Sequence, residues 1–279
     1  MQTKKLNTLN TYFKTHCTVL LILTLLLAST GVARGQFADC STGLLQMPTA
    51  EMQPDGTFMI TNNFLNKHSL SSGGWGYSTF QYGVSISLWG RVEIGYVCTL
   101  FDGKRKPTPS ERDMITFNQD RHFVGRICLL QEGDFGLDWM PSLTIGVSDP
   151  TTGSGGDYTN PDSILTSVNG FFNRYYVVSS KHFTTNWGVV GAHIGYQFNR
   201  RFDYRINAPC IGVNWQPIWL QQKGLLDNLS VIAEYDSRTV NLGMIASLWK
   251  NRFEAMFELQ NLQWINFGLR YKLQLKKVA

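Results

Sequence analysis

Trp264-Ile-Asn-Phe-Gly-Leu-Arg-Tyr-Lys-Leu-Gln-Leu275 is the stretch that decides the fold. From Ile265 every second residue is apolar, through Phe267, Leu269, Tyr271, Leu273 and Leu275. Between them stand Asn266, Gly268, Arg270, Lys272 and Gln274. Successive side chains leave a strand on opposite sides, so this period of two marks a strand with one oily and one wet face. The preceding segment repeats it, with Phe253, Ala255, Phe257 and Leu259 on one face and Arg252, Glu254, Met256, Glu258 and Gln260 on the other. A wet face so rich in charge suits an aqueous interior, and an oily face so aromatic suits lipid. The pattern predicts an all-β fold, an antiparallel up-and-down transmembrane β-barrel.

The amino terminus agrees with export. Lys4, Lys5 and Lys14 precede an apolar run from Val19 to Ala28, and Ala33-Arg-Gly35 supplies small residues at −3 and −1. These are the three parts of a cleaved signal peptide over residues 1–35, with cleavage expected before Gln36. The run is shorter than the roughly 20 residues a membrane-crossing helix needs. Phe37-Ala-Asp39 before Cys40 is no lipobox, so a lipoprotein is not expected. The full chain carries a formal charge of +5, and residues 1–35 hold Lys4, Lys5, Lys14 and Arg34 with no acid, so the mature chain is near +1. That balance, with no basic run interleaved with aromatics, argues against nucleic acid as a partner.

Repetition of the alternating pattern sets the strand number. Strands are expected at Thr57–Asn66, Thr79–Leu88, Val92–Phe101, His122–Leu130, Pro141–Ser148, Arg174–His182, Val189–Phe198, Pro209–Ile218, Leu229–Tyr235, Val240–Leu248, Phe253–Leu259 and Ile265–Leu275. This gives about 12 strands, within a range of roughly 10–14, because such boundaries carry errors of two to four residues. The barrel is expected over 57–279. A mean hydropathy of −0.14 does not count against a membrane barrel, which places its apolar residues only at alternate positions. Tight turns are read at Trp89-Gly-Arg91, Thr185-Asn-Trp187, Asp236-Ser-Arg-Thr239, Trp249-Lys-Asn-Arg252 and Asn261-Leu-Gln-Trp264, with longer gaps at Asp102–Arg121 and Asp149–Asn173. Short turns force antiparallel neighbours. Trp89, Trp187, Trp215, Trp219, Trp249 and Trp264 fall near strand ends, where amphipathic rings favour a membrane interface.

Residues 36–56 form a loop-like lead-in, punctuated by Pro48 and the turn signal Pro54-Asp-Gly56. Such a segment either fills the lumen as a plug or packs on the rim, and the rim is the expected place because domain termini are usually lightly tied down.

Candidate chemistry is sparse. Arg252, Glu254, Glu258, Arg270, Lys272 and His193 are expected to face the lumen, the acids pairing with the bases across strands. Glu254 and Glu258 are four apart on one face, about 13 Å along a strand. That exceeds the roughly 5–9.5 Å between the two carboxylates of a glycosidase. His68, His122, His182 and His193 show no zinc-protease spacing, and no serine and histidine stand two apart on an oily strand edge. Gly153-Ser-Gly-Gly156 lacks the Gly-Lys-Ser/Thr ending of a phosphate loop. Cys40, Cys98, Cys128 and Cys210 match no zinc site, and free thiols are expected. No catalytic residue, metal or cofactor is therefore expected, and an enzyme is not.

Two stretches resemble a known family. Gly43-Leu-Leu-Gln-Met-Pro-Thr-Ala50 followed by Gln53-Pro-Asp-Gly-Thr57 resembles the opening of the YjbH family of exopolysaccharide-associated outer-membrane proteins. Ile211-Gly-Val213, Val231-Ile-Ala-Glu-Tyr-Asp236 and Asn241-Leu-Gly243 are similar to that family's Glu-Tyr-Asp strand and the Asn-x-Gly stretch after it. The residues matching the family motif are Gly43, Pro48, Thr49, Ala50, Gly56, Glu234 and Tyr235. The resemblance implies a β-barrel linked to export or assembly of extracellular polysaccharide, and it brings no catalytic residue. The partners it implies are outer-membrane lipid, exopolysaccharide and other envelope proteins of polysaccharide export. The alternatives are a small general porin or uptake channel, and an outer-membrane lipid-modifying enzyme. About 12 strands make a narrow barrel, since wide aqueous channels need 16–18. An accessory or assembly role is thus expected over a conduit.

Overall fold

A computed structural model describes residues 39–70, 77–103, 116–150, 171–200, 205–221 and 224–276, with only the backbone for 101–103 and 116–119. The expected signal segment and the Gly153–Gly156 stretch lie outside the described residues. Twelve strands form one closed antiparallel barrel. They are β1 Thr57–Leu65, β2 Thr79–Leu88, β3 Val92–Gly103, β4 Thr116–Leu130, β5 Ser142–Ser148, β6 Arg174–Thr185, β7 Gly188–Phe198, β8 Asn207–Pro217, β9 Leu226–Tyr235, β10 Val240–Leu248, β11 Phe253–Gln260 and β12 Trp264–Gln274. Each pairs with its sequence neighbours, and β1 closes on β12 with Thr57 opposite Gln274 and Phe64 opposite Phe267.

The alternation read from β11 and β12 runs around the sheet. In β12 the outward Ile265, Phe267 and Leu269 are about half exposed, while the inward Asn266 and Arg270 are buried. Outward positions elsewhere carry exposed Phe80, Val84, Phe123, Ile145, Ile194, Ile211, Leu242 and Phe257. Inward positions carry buried Gln81, Ser85, Glu93, Arg126, Thr144, His193, Asn214 and Glu234. The barrel is thus apolar outside, and inside it is largely polar with one apolar cluster, where Val178, Ile232, Ile245 and Met256 pack with Leu44, Leu45 and Met47.

The two ends differ. At one end the connections are 89–91, 131–141, 186–187, 218–225 and 249–252. Each of these carries an exposed tryptophan: Trp89, Trp139, Trp187, Trp219 and Trp249. Trp89 and Gly90 have φ of 55° and 63°, the left-handed conformation of tight hairpin turns. The long gaps 104–115 and 149–173 are both at the other end, with the tight turns 236–239 and 261–263 beside them. Trp264, expected in the interfacial ring, lies at this second end with its ring stacked on His68, centroids 3.9 Å apart.

The lead-in does not pack on the rim. Residues 39–51 are buried, and the segment lies inside the barrel. Gly43 and Pro48 form an isolated antiparallel bridge, closed by Leu44 N–H donating to Met47 O at 2.9 Å. Buried inward charges need hydrogen-bonding partners, and the segment supplies them. It leaves at the short-turn end, where Gly56 N–H donates to Ser87 O at 2.8 Å and Gly56 O accepts from Leu275 N–H at 2.9 Å. The φ of 74° at Gly56, with Lys276 against it, requires glycine there.

Candidate functional site: the plugged lumen

The lumen reads the plug chiefly through its backbone. Glu234, on β9, accepts N–H groups of three consecutive residues: Gln46 at 2.7 Å, Leu45 at 2.9 Å and Met47 at 3.2 Å. Asn241 on β10 donates to the same carboxylate at 3.0 Å. Successive amides of a tight turn form a concave anion site, here filled by a side chain of the barrel. The two family-like stretches therefore dock on each other across 189 positions of sequence. The neighbouring glycines explain their place as well. A Cβ on Gly212 would stand 2.4 Å from Leu44 Cδ1, and one on Gly243 would stand 3.0 Å from Leu45 Cδ1. Gly212 thus makes room for Leu44, while at Gly243 the nearer obstacle is Phe257 O at 2.2 Å, with Leu45 behind it.

Three arginines hold the plug's carbonyls. Arg126, on β4, donates to Thr42 O, Thr49 O and Glu51 O, the last at 2.7 Å. Beside it Glu93, on β3, accepts Thr42 N–H at 3.0 Å. Arg174, at the start of β6, donates to Gln46 O at 2.9 Å and pairs with Asp39. Arg270, on β12, donates to Ser41 O at 3.2 Å and lies 3.5 Å from Glu254. Lys272 Nζ is 2.5 Å from the other Glu254 oxygen. Glu258 accepts from Gln46 Nε2 at 2.8 Å and Asn266 Nδ2 at 2.7 Å.

Of the residues expected to face the lumen, Glu254, Glu258, Arg270, Lys272 and His193 do so and are buried. Arg252 does not: it lies in the turn before β11, exposed, with its guanidinium 6.0 Å from the Trp249 ring centre. The strand begins one residue later, at Phe253, so Arg252 reaches the rim instead of the interior. Glu258 finds amides rather than the arginine expected across the strands. Among the family-motif residues, Gly43 and Pro48 form the plug bridge, and Thr49 and Ala50 give their carbonyls to Arg126 and Thr144. Tyr235 faces outward, half-buried. Asp39, Glu93, Arg126 and Arg174 were missed by the sequence reading. Alternation alone places Arg126 with His122, Val124 and Cys128 on one face.

Ser180, His193 and Asn214 form a chain across β6, β7 and β8, each contact 2.8 Å. Its order is that of a serine hydrolase triad. However, Ser180 Oγ accepts the Ala50 N–H at 2.8 Å and is buried, so its hydroxyl serves as a plug anchor. Among the described residues Cys40, Cys98, Cys128 and Cys210 are free thiols. Burial pushes the Cys40 thiol up to about 12. Among the described residues no cluster of histidine, cysteine and carboxylate could hold a metal.

Above the plug, at the long-loop end, a cavity of about 110 Å³ opens. Its floor is Asp39 and Gln46 of the plug with Arg174, and Phe171, Phe172, Trp264 and His68 stand in its wall with Asp236, Gln260 and Asn261.

A closed barrel, polar within and apolar without, whose own amino-terminal segment fills its lumen, defines a plugged β-barrel. The family model described as "Exopolysaccharide biosynthesis protein YbjH" matches residues 39–276, which takes in both the plug and the barrel. The chain belongs to this YjbH family. A search of curated proteins finds no match.

Proposed function

We propose that this protein is a non-enzymatic barrel of an outer membrane, exported by a cleaved signal peptide, that supports export or assembly of exopolysaccharide in an accessory role. The observation that carries the membrane location is the apolar exterior: exposed aliphatic and aromatic side chains ring a closed sheet, which lipid would cover and water would not. The five exposed tryptophans of connections 89–91, 131–141, 186–187, 218–225 and 249–252 suit one membrane–water interface, with the long gaps 104–115 and 149–173 on the outer side. The polysaccharide link rests on the family. An accessory role is favoured over passage of a polymer because the buried plug occupies the lumen. The same plug weighs against an open general porin, and the capped Ser180 weighs against a lipid-modifying enzyme. The partners are outer-membrane lipid, the exopolysaccharide and other envelope export proteins.

The test combines fractionation with deletion. The expected result is an outer-membrane band whose mobility on a detergent gel shifts on heating, and loss of surface polysaccharide in the deletion strain. In planar bilayers the intact protein is expected to show no steady conductance, and a variant lacking residues 40–52 to conduct while still shifting on heating. A periplasmic, non-shifting protein would refute the membrane location. Unchanged polysaccharide in the deletion strain would refute the role.

A further inference from the structure

We infer that the cavity above the plug is a binding subsite for one sugar unit of the polysaccharide, at the long-loop mouth of the barrel. This rests on the proposed polysaccharide role and gives it a place. A cavity of about 110 Å³ is closed below by Asp39 and Gln46, so a ligand reaching it stops there. One water needs about 10–15 Å³ by the same measure. The space therefore holds several waters, the room of a single ring and not of a threaded chain.

The wall has the chemistry that a sugar requires. A pyranose presents an apolar C–H face and a rim of hydroxyls, so it binds where an aromatic face lies beside planar polar groups. Trp264 supplies the aromatic face. Its indole is braced by His68 stacked at 3.9 Å and nearly parallel, 17° between planes. His68 is itself placed by a one-turn 3-10 helix, Lys67–Ser69, whose capping Asn66 accepts the His68 N–H at 3.1 Å. The Gln260 and Asn261 amides line the same cavity, with Asp236, whose Oδ1 accepts the Arg238 and Thr239 N–H groups of its own turn. Asn261 has φ of 52° in the tight turn that carries it. The chain thus gathers these groups at one end of the barrel, away from the tryptophan-bearing turns: His68 just after β1, Gln260 at the end of β11, Asn261 in the turn after it and Trp264 at the start of β12.

The experiment uses the full-length protein in detergent micelles, with oligosaccharides cut from the surface polysaccharide of the producing strain as probe. Binding is followed by titration calorimetry, and each variant is first checked for the heat-shifted band. Trp264→Ala is expected to weaken binding roughly tenfold, as loss of an aromatic platform does, and His68→Ala by several fold. Trp264→Phe should stay within about threefold of the unaltered protein, because it keeps a stacking face. Trp219→Ala, at the opposite end, should bind unchanged. Equal binding by Trp264→Ala in an assembled barrel would overturn the subsite. So would absence of binding by the unaltered protein, and if the deletion strain still lost its polysaccharide, the accessory role would stand without the subsite. Binding that Trp264→Ala abolishes, in a strain whose deletion leaves the polysaccharide intact, would support the subsite and remove the role.

Discussion

Glu234→Gln should loosen the plug without dissolving the barrel. The carboxylate takes N–H groups from Leu45, Gln46 and Met47 and the Asn241 amide, all inside a buried lumen. A buried donor left without its acceptor costs about 1–3 kcal/mol. The amide keeps one carbonyl acceptor and turns an NH2 toward the plug's own donors, so about two of them lose their partner. The loss is then about 3–4 kcal/mol. At 1.4 kcal/mol per factor of ten, plug opening should rise by about a hundred- to a thousandfold. Cys40 reports it directly, because it is fully buried and its thiol is pushed up to about 12, so the seated plug keeps it inert. In a background with Cys98, Cys128 and Cys210 changed to alanine, the rate of maleimide labelling at Cys40 measures how often the plug leaves. Labelling at the unaltered rate in a Glu234→Gln protein that still shows the heat shift would refute the view that Glu234 holds the plug.

Gly212→Val should unseat Leu44 by overpacking, since even a Cβ would come within 2.4 Å of its Cδ1. Such overpacking costs about 1–3 kcal/mol. Faster Cys40 labelling is expected, with partial recovery when Leu44→Ala is added. Asp134 is held below the ordinary carboxylate 3.8, first by its side-chain bond to Arg91 at 2.8 Å. A depressed carboxylate stabilises the fold above its unfolded value and ceases to do so as pH falls through the lowered one. The 131–141 connection should therefore loosen only below about pH 4, by well under 1 kcal/mol for so exposed a pair. Arg91→Gln should remove that step from a pH titration of Trp139 fluorescence. In bilayers of brominated lipid, Trp89, Trp187 and Trp249 should be quenched most by bromines near the headgroups, and deep bromines quenching them best would contradict an interfacial ring.

The strands were legible because a barrel wall repeats one local rule. All 12 expected strands form, and β2 and β10 match at both ends, at Thr79–Leu88 and Val240–Leu248. Alternation also gave the facing of Arg270, Lys272, Glu254 and Glu258. It failed at Arg252, where the strand stops and parity no longer says which way a side chain points. The plug was illegible for a different reason. Leu44-Leu-Gln-Met47 has no period, and its partners lie far along the chain: Glu234 from Leu45 by 189 residues, Arg270 from Ser41 by 229. Nothing local distinguishes three amides bound by a distant carboxylate from three amides in water. The family-like motifs marked the right residues, and the geometry gives their reason, a turn and the carboxylate that seats it. The Trp264 and His68 stack likewise joins the start of β12 to a connection distant in sequence.

The plug touches inward side chains of strands from both ends of the chain, including Glu93 on β3, Arg126 on β4, Glu234 on β9 and Arg270 on β12. A wall that wraps around residues 39–53 as β1 meets β12 buries those groups already paired. Closure first would trap the arginines and carboxylates facing one another without the backbone groups that satisfy them. That segment acts as the form on which the last seam is sewn. Pairings so distant along the chain make for slow folding. Substitutions that weaken the plug should then also delay the appearance of the heat-resistant barrel.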